Sequence, residues 1–176
     1  MRWVSHMAIA GAICAVFNPV AVPAALAGST APDWFEMLVR NRDRRVKHRA
    51  VTHYLVFWVF LMLFAQFVAD WRGMLYWFAF GGASHWFCDA LTVTGAPVGW
   101  WSDRRMTLFG GKVYTGGPTE YVIVFVVVAI CAAVIWVRGG AGSGAGFIPF
   151  FIPWSELYSD GVISGHEWRQ NRFNFF

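Results

Sequence analysis

Charge is scarce in this chain. Asp, Glu, Lys and Arg make up 14% of its 176 residues, where a soluble domain carries roughly a quarter. With 57% hydrophobic residues and a mean hydropathy of +0.47, that shortage excludes a disordered chain and argues against an ordinary soluble domain. Cysteine is scarce too. Cys14, Cys88 and Cys131 are scattered through apolar stretches with no CxxC spacing, which argues against a disulfide framework and leaves them as small apolar filler. There is no phosphate loop, because Gly110-Gly-Lys112-Val113 lacks the required Ser or Thr and the spacing. No Ser–His–Asp or Cys–His set stands out by spacing, and no internal repeat is visible. The net charge of +4 is modest and gathered in one loop, so it is a topology signal and no nucleic-acid partner is expected.

Aromatic residues and long apolar stretches fill the rest. Aromatics reach 19%, with 17 Phe and 11 Trp, a composition that fits an integral membrane protein with interfacial Trp and Tyr. Four apolar stretches stand out. The first runs from Val4 to Ala27 and is broken by Asn18, Pro19 and Pro23. The second is Val51–Ala69, the third Gly73–Leu91 and the fourth Tyr121–Val137. At ~1.5 Å per residue against a hydrocarbon core about 30 Å thick, the second and fourth are expected to span. The fold class expected is all-α: a polytopic membrane bundle of about four apolar helical segments, the first interrupted or re-entrant, plus a tail. Residues 1–137 form the bundle, and 138–176 a Gly-rich linker with an interfacial or extramembrane tail. Arg2, the apolar run and Ala25-Leu-Ala27 also have the form of a secretory signal with an A-x-A cleavage site.

Loop charge sets the orientation. The segment Gly28–Ala50 carries Arg40, Arg42, Arg44, Arg45, Lys47 and Arg49, and Thr92–Glu120 carries Arg104, Arg105 and Lys112. The positive-inside rule puts both in the cytoplasm and the Asp70–Gly73 turn outside. His53, His85, Asp89, Asp33, Glu36, His48 and Glu120 come from four parts of the chain, yet this topology collects them at one membrane face. His85 and Asp89 are spaced i, i+4, so they share one helix face. A neutral imidazole beside a carboxylate suits Zn²⁺ or another first-row metal; the competing reading is a His–Asp hydrogen bond between helices. His48 and His53 would lie ~140° apart on one helix, so both reach one site only if His48 precedes the helix. Asp33 after Pro32 also reads as an acid at a helix start, and Glu120 after Pro118 does so more strongly.

Three motifs then carry a family resemblance: His48-Arg-Ala-Val-Thr-His53, Ser84-His85-Trp-Phe-Cys-Asp89-Ala-Leu-Thr92 and Thr94-Gly-Ala-Pro97-Val-Gly-Trp100. They resemble the HRxxTH, SHxxxDxLTxxG and following Pro/Trp motifs of the YdjM-like (LexA-regulated) family of bacterial inner-membrane, metal-dependent hydrolases. His6, the Pro32-Asp33 step and Gly117-Pro-Thr-Glu120 match further family positions, and the family is distantly similar to zinc-dependent phospholipase C. The resemblance implies His6, Asp33, His53, His85 and Asp89 as metal ligands, with His48 and Glu120 as further candidates. The family's Pro-Asp step usually continues into a second Asp and a His; here it reads Trp34-Phe-Glu36. His6 can join the site only if the first segment re-enters at Asn18-Pro19.

Two functions are weighed. One is a membrane-bound metallohydrolase of the bacterial inner membrane, multi-pass, with its site at the cytoplasmic face. It would hold a divalent metal, Zn²⁺ first, with Glu36 or Glu120 as catalytic base. Its substrate would be a phosphoester such as a phospholipid headgroup in the bilayer, with Arg49, Arg104 or Arg105 on the phosphate. The other is a non-catalytic membrane component whose His and Asp groups tie helices together, with a protein partner for the tail. An ion or proton pathway ranks last, because the fourth stretch has no charge to continue it.

Overall fold

The computed structural model describes residues 1–42, 51–70, 73–139 and 154–171. Helix α1 spans Trp3–Phe17. It ends at Asn18, whose N–H donates to the Cys14 carbonyl, and Pro19–Ala21 form one 3-10 turn. Helix α2, Val22–Arg42, then returns along α1. A second 3-10 turn, Val51–His53, leads into α3, Leu55–Phe67. Helix α4 spans Met74–Ala90. Its first turn is capped by Asp70, whose two carboxylate oxygens accept the Leu75 and Tyr76 N–H groups at 2.9 Å. This satisfies donors that a helix start leaves open. Strands β1 (Ala96–Gly99) and β2 (Ser102–Met106) form an antiparallel hairpin. Helix α5 spans Pro118–Gly139, and two short helices, α6 (Trp154–Ser159) and α7 (Gly165–Asn171), follow.

Close backbone approach holds α2 against α4. A Cβ on Gly28 would lie 1.9 Å from the Phe78 carbonyl oxygen, and one on Gly81 would lie 2.4 Å from that of Ala25. Only glycine fits at these crossings, the small-residue device by which apolar helices pack without large side chains between them. Gly82 does the same for α3, because its Cβ would meet the Trp58 ring at 2.2 Å. Helix α5 packs on α1, with Ile123, Val124 and Val127 against Met1 and Ile9.

These contacts give the bundle two distinct ends. At one, the Asn18–Ala21 break meets the α3–α4 turn: Cys14, Ala21, Val22 and Ala25 pack with Met74 and Trp77. At the other lie the start of α1, the second half of α2, the start of α3, the end of α4 and the start of α5. The hairpin sits at this second end. Ala96 packs with Trp86 and Ala90 of α4 and Leu55 of α3, and the Trp86 indole donates to the Pro97 carbonyl at 2.6 Å.

The chain is mostly helical, but several expectations need correction. Among the described residues, only α5 is long and apolar enough to cross a membrane, over Pro118–Val137. The second apolar stretch is not one spanning helix, because the Val51–His53 turn takes its first residues. That leaves α3 with 13 residues, about 20 Å. Helix α1, with 15 residues, is also short. The segment from Gly28 is not a loop: α2 continues to Arg42 with Pro32 inside it. Packing of α2 along α4 outweighs the missing Pro N–H, so Asp33 and Glu36 stand mid-helix rather than at a helix start. The segment after α4 contains a sheet, which an all-α reading does not. Val4, Met7, Phe57, Phe60, Leu63 and Phe125 are exposed, so α1, α3 and α5 all present apolar outer faces.

Candidate metal centre

The second end of the bundle holds a cluster of histidines and carboxylates. His6 comes from α1, Asp33 from α2, His53 from the turn before α3, and His85 and Asp89 from successive turns of α4. His6 Nε2 lies 3.6 Å from Asp89 Oδ1, and His85 Nε2 lies 3.5 Å from Asp89 Oδ2. On the other side, Asp33 Oδ1 is 3.8 Å from His85 Nε2 and 3.2 Å from His53 Nε2. Two triads result, His6–His85–Asp89 and Asp33–His53–His85, each with donor atoms within 4.8 Å of one another. His85 belongs to both. The His6 and His85 rings stack at 3.9 Å between centroids, 11° from parallel.

The donor set fits a metal. Four ligands at about 2.0–2.1 Å around a tetrahedral Zn²⁺ stand roughly 3.3 Å apart, close to these separations. His6, His53, His85 and Asp89 are all buried, and Asp33 is 25% exposed, so the cluster opens on the Asp33 side. Both ring nitrogens of His6 and Nε2 of His85 are buried without a hydrogen-bond partner. Leaving such atoms bare costs about 1–3 kcal/mol each, and the unprotonated nitrogen of a neutral imidazole is a metal donor.

Second contacts aim the rings. His85 Nδ1 lies 2.7 Å from the Ser29 carbonyl oxygen. A carbonyl only accepts, so Nδ1 carries a proton, and Nε2 is the nitrogen turned toward the cluster. His53 Nδ1 lies 3.1 Å from Thr52 Oγ1 and 3.4 Å from Glu36 Oε2, which leaves its Nε2 on Asp33. This is the outer-shell pattern of metal-bound histidines, whose far nitrogen meets a carbonyl or a carboxylate. The Thr52 carbonyl in turn accepts the Trp58 indole N–H at 2.9 Å, which fixes the turn that carries His53. Burial pushes the Asp33 carboxyl up, but the hydrogen bond from His53, the charges of His85 and His53, and the Trp3 indole N–H outweigh it and hold it at about 2.

Not every residue singled out from sequence joins these triads. Glu36 stands behind His53, on its Nδ1 side. Glu120 accepts the Ser5 hydroxyl, the Arg2 N–H at 2.8 Å and the Gly116 N–H at 2.7 Å, so it fastens the first turn of α5 to the start of α1. His48 and Arg49 lie outside the described residues. Arg104 and Arg105 are exposed on β2. Sequence reasoning missed the Ser29 carbonyl, which has no side-chain signature. It also missed the Trp3 indole on Asp33 at 2.6 Å and the Met1 amino group on Asp89 at 2.9 Å. Trp3 stands three residues before His6, a spacing that places both on one helix face.

The model of the YdjM inner membrane protein family matches residues 1–154. The chain belongs to that family. The match covers every residue of both triads. Comparisons with curated proteins and with solved structures return no match.

Proposed function

We propose that the protein is a membrane-bound, metal-dependent hydrolase whose metal is held by His6, His53, His85, Asp33 and Asp89. The observation that carries this reading is the buried His85 ring, donating from Nδ1 to the Ser29 carbonyl while Nε2 has no hydrogen-bond partner. A structural helix tie would engage Nε2, whereas a ligand holds it ready. A bound Zn²⁺ supplies a water with a pKa near 7 and an electrophile for a phosphoryl or carbonyl oxygen.

The chain's own residues do the rest. The Ser29 carbonyl and the Glu36 carboxylate orient His85 and His53. Asp33, the most exposed of the five, faces the side by which water and substrate enter. Glu36, buried behind His53, acts through that ring rather than as a base on water. Apolar outer helix faces and inner-membrane family membership favour a substrate in the bilayer, namely a phosphoester in a lipid headgroup at the cytoplasmic face. The test is hydrolysis of phospholipids by the purified full chain in mild detergent, with Zn²⁺ and with chelator. Release of a phosphorylated headgroup or of phosphate only with metal supports the reading. A metal-loaded protein that hydrolyses no phosphoester refutes the catalytic part and leaves a non-catalytic membrane protein with a structural metal.

A further inference from the structure

Beside the metal cluster, the hairpin presents an aromatic and basic surface. Trp100 is 71% exposed and Trp101 61%, with their rings edge-to-face at 5.4 Å. Trp101 folds back over Gly99, where an added Cβ would lie 2.4 Å from the indole. A cavity of about 480 Å³ lies along this face, walled by Val98, Trp101, Arg104, Arg105, Met106 and Thr107. Between Thr92 and Gly117 the sequence sets three cations, Arg104, Arg105 and Lys112, against one acid, Asp103. The hairpin and the segments flanking it are tied to the bundle. Trp86, next to His85, donates to the Pro97 carbonyl; the Leu108 N–H donates to the Ala90 carbonyl at 2.6 Å; and Thr92 bridges to Val113. All of this lies at the end of the bundle where α5 begins, and α5 is the helix able to span.

Exposed indoles at the start of a span are interfacial in character: their rings sit at headgroup depth, one side apolar and one wet. Arginine beside them forms forked hydrogen bonds to phosphate oxygens. We propose that the β1–β2 hairpin is an anionic-phospholipid site, with Trp100 and Trp101 in the headgroup layer and Arg104 and Arg105 on the lipid phosphate. The occupant is a bilayer lipid rather than free phosphate, because half of the cavity wall is apolar or aromatic and because the family is an inner-membrane one. The inference deepens the lipid part of the proposed function, but no ligand of the cluster takes part in it, so lipid binding at the hairpin can be tested without the metal.

The test is fluorescence quenching by chain-brominated lipids with the full chain reconstituted into vesicles. The bromine is carried either on phosphatidylglycerol in a phosphatidylcholine background or on phosphatidylcholine in a phosphatidylglycerol background. The difference between the native chain and the W100F/W101F variant isolates the hairpin signal. That signal is quenched preferentially by brominated phosphatidylglycerol. The preference falls about fivefold for each of R104Q and R105Q, persists in R104K/R105K, and weakens with added salt. Equal quenching by the two lipids overturns the proposal. So does a hairpin signal that neither lipid quenches, the outcome expected if these indoles meet a soluble protein partner. G99V provides a check that keeps both arginines. Displacing Trp101, it lowers the quenching while the native far-ultraviolet spectrum is retained; unchanged quenching would count against the placement of Trp101.

Discussion

His85 donates a hydrogen bond from Nδ1 to the carbonyl of Ser29, 2.7 Å away on the neighbouring helix. This one bond fixes the tautomer of the central histidine and turns its Nε2 toward both Asp33 and Asp89. It depends on α2 and α4 lying almost backbone to backbone, which Gly28 and Gly81 allow. Helix packing and site chemistry therefore share the same residues.

Gly81→Val tests that link. Its side chain would collide with the Ala25 carbonyl, and overpacking of this kind costs about 1–3 kcal/mol. The variant is expected to unfold at lower temperature in detergent and to bind metal more weakly, because the shift moves Ser29 and Asp33 away from His85. Thermal melting and metal titration on one sample check both. Native stability with native metal affinity would show that the close approach does not govern the site.

Glu36→Gln separates an orienting role from a ligand or base role. The Gln keeps the shape but loses the carboxylate beside His53 Nδ1. Losing such an outer-shell partner typically weakens metal binding about 10–100-fold. Calorimetric Zn²⁺ titration should show that loss with stoichiometry unchanged. A fall in stoichiometry would instead make Glu36 a direct ligand.

Glu120→Ala leaves the Ser5 hydroxyl and the Arg2 and Gly116 N–H groups without their acceptor. A loss of about 1–3 kcal/mol of stability follows, read as a lower melting temperature. Metal content per folded molecule should stay at the native level. Metal-free but natively stable Glu120→Ala protein would move this residue into the metal centre.

Much of the site could be read from residue spacing, and the rest could not, for identifiable reasons. His85 and Asp89 stand i, i+4 in an apolar helix, a pattern that local periodicity makes visible. His6 has no such partner in sequence. It reaches the cluster only because Asn18 and Pro19 break the first apolar stretch and α2 returns beside α1, so only its family motif pointed to it. Pro32 suggested a helix start at Asp33, yet packing on α4 carries α2 straight through it. Val51 opens the apolar stretch, yet Val51–His53 form a separate 3-10 turn, so the length of the stretch overstates the length of α3. The hairpin is short and holds Pro97 and Gly99, which weaken a strand signal. The Ser29 carbonyl is backbone and carries no residue code.

The most direct test is the metal content of the purified full chain, by elemental analysis in mild detergent, beside the His85→Ala/Asp89→Ala variant. The variant removes His85 from both triads and Asp89 from one. The account predicts near one or more equivalents of a divalent metal in the native protein and its loss from a variant that keeps its helical spectrum. A native protein that stays metal-free after purification with added Zn²⁺ and Mn²⁺ would contradict it, and these histidines and aspartates would then be polar ties between helices.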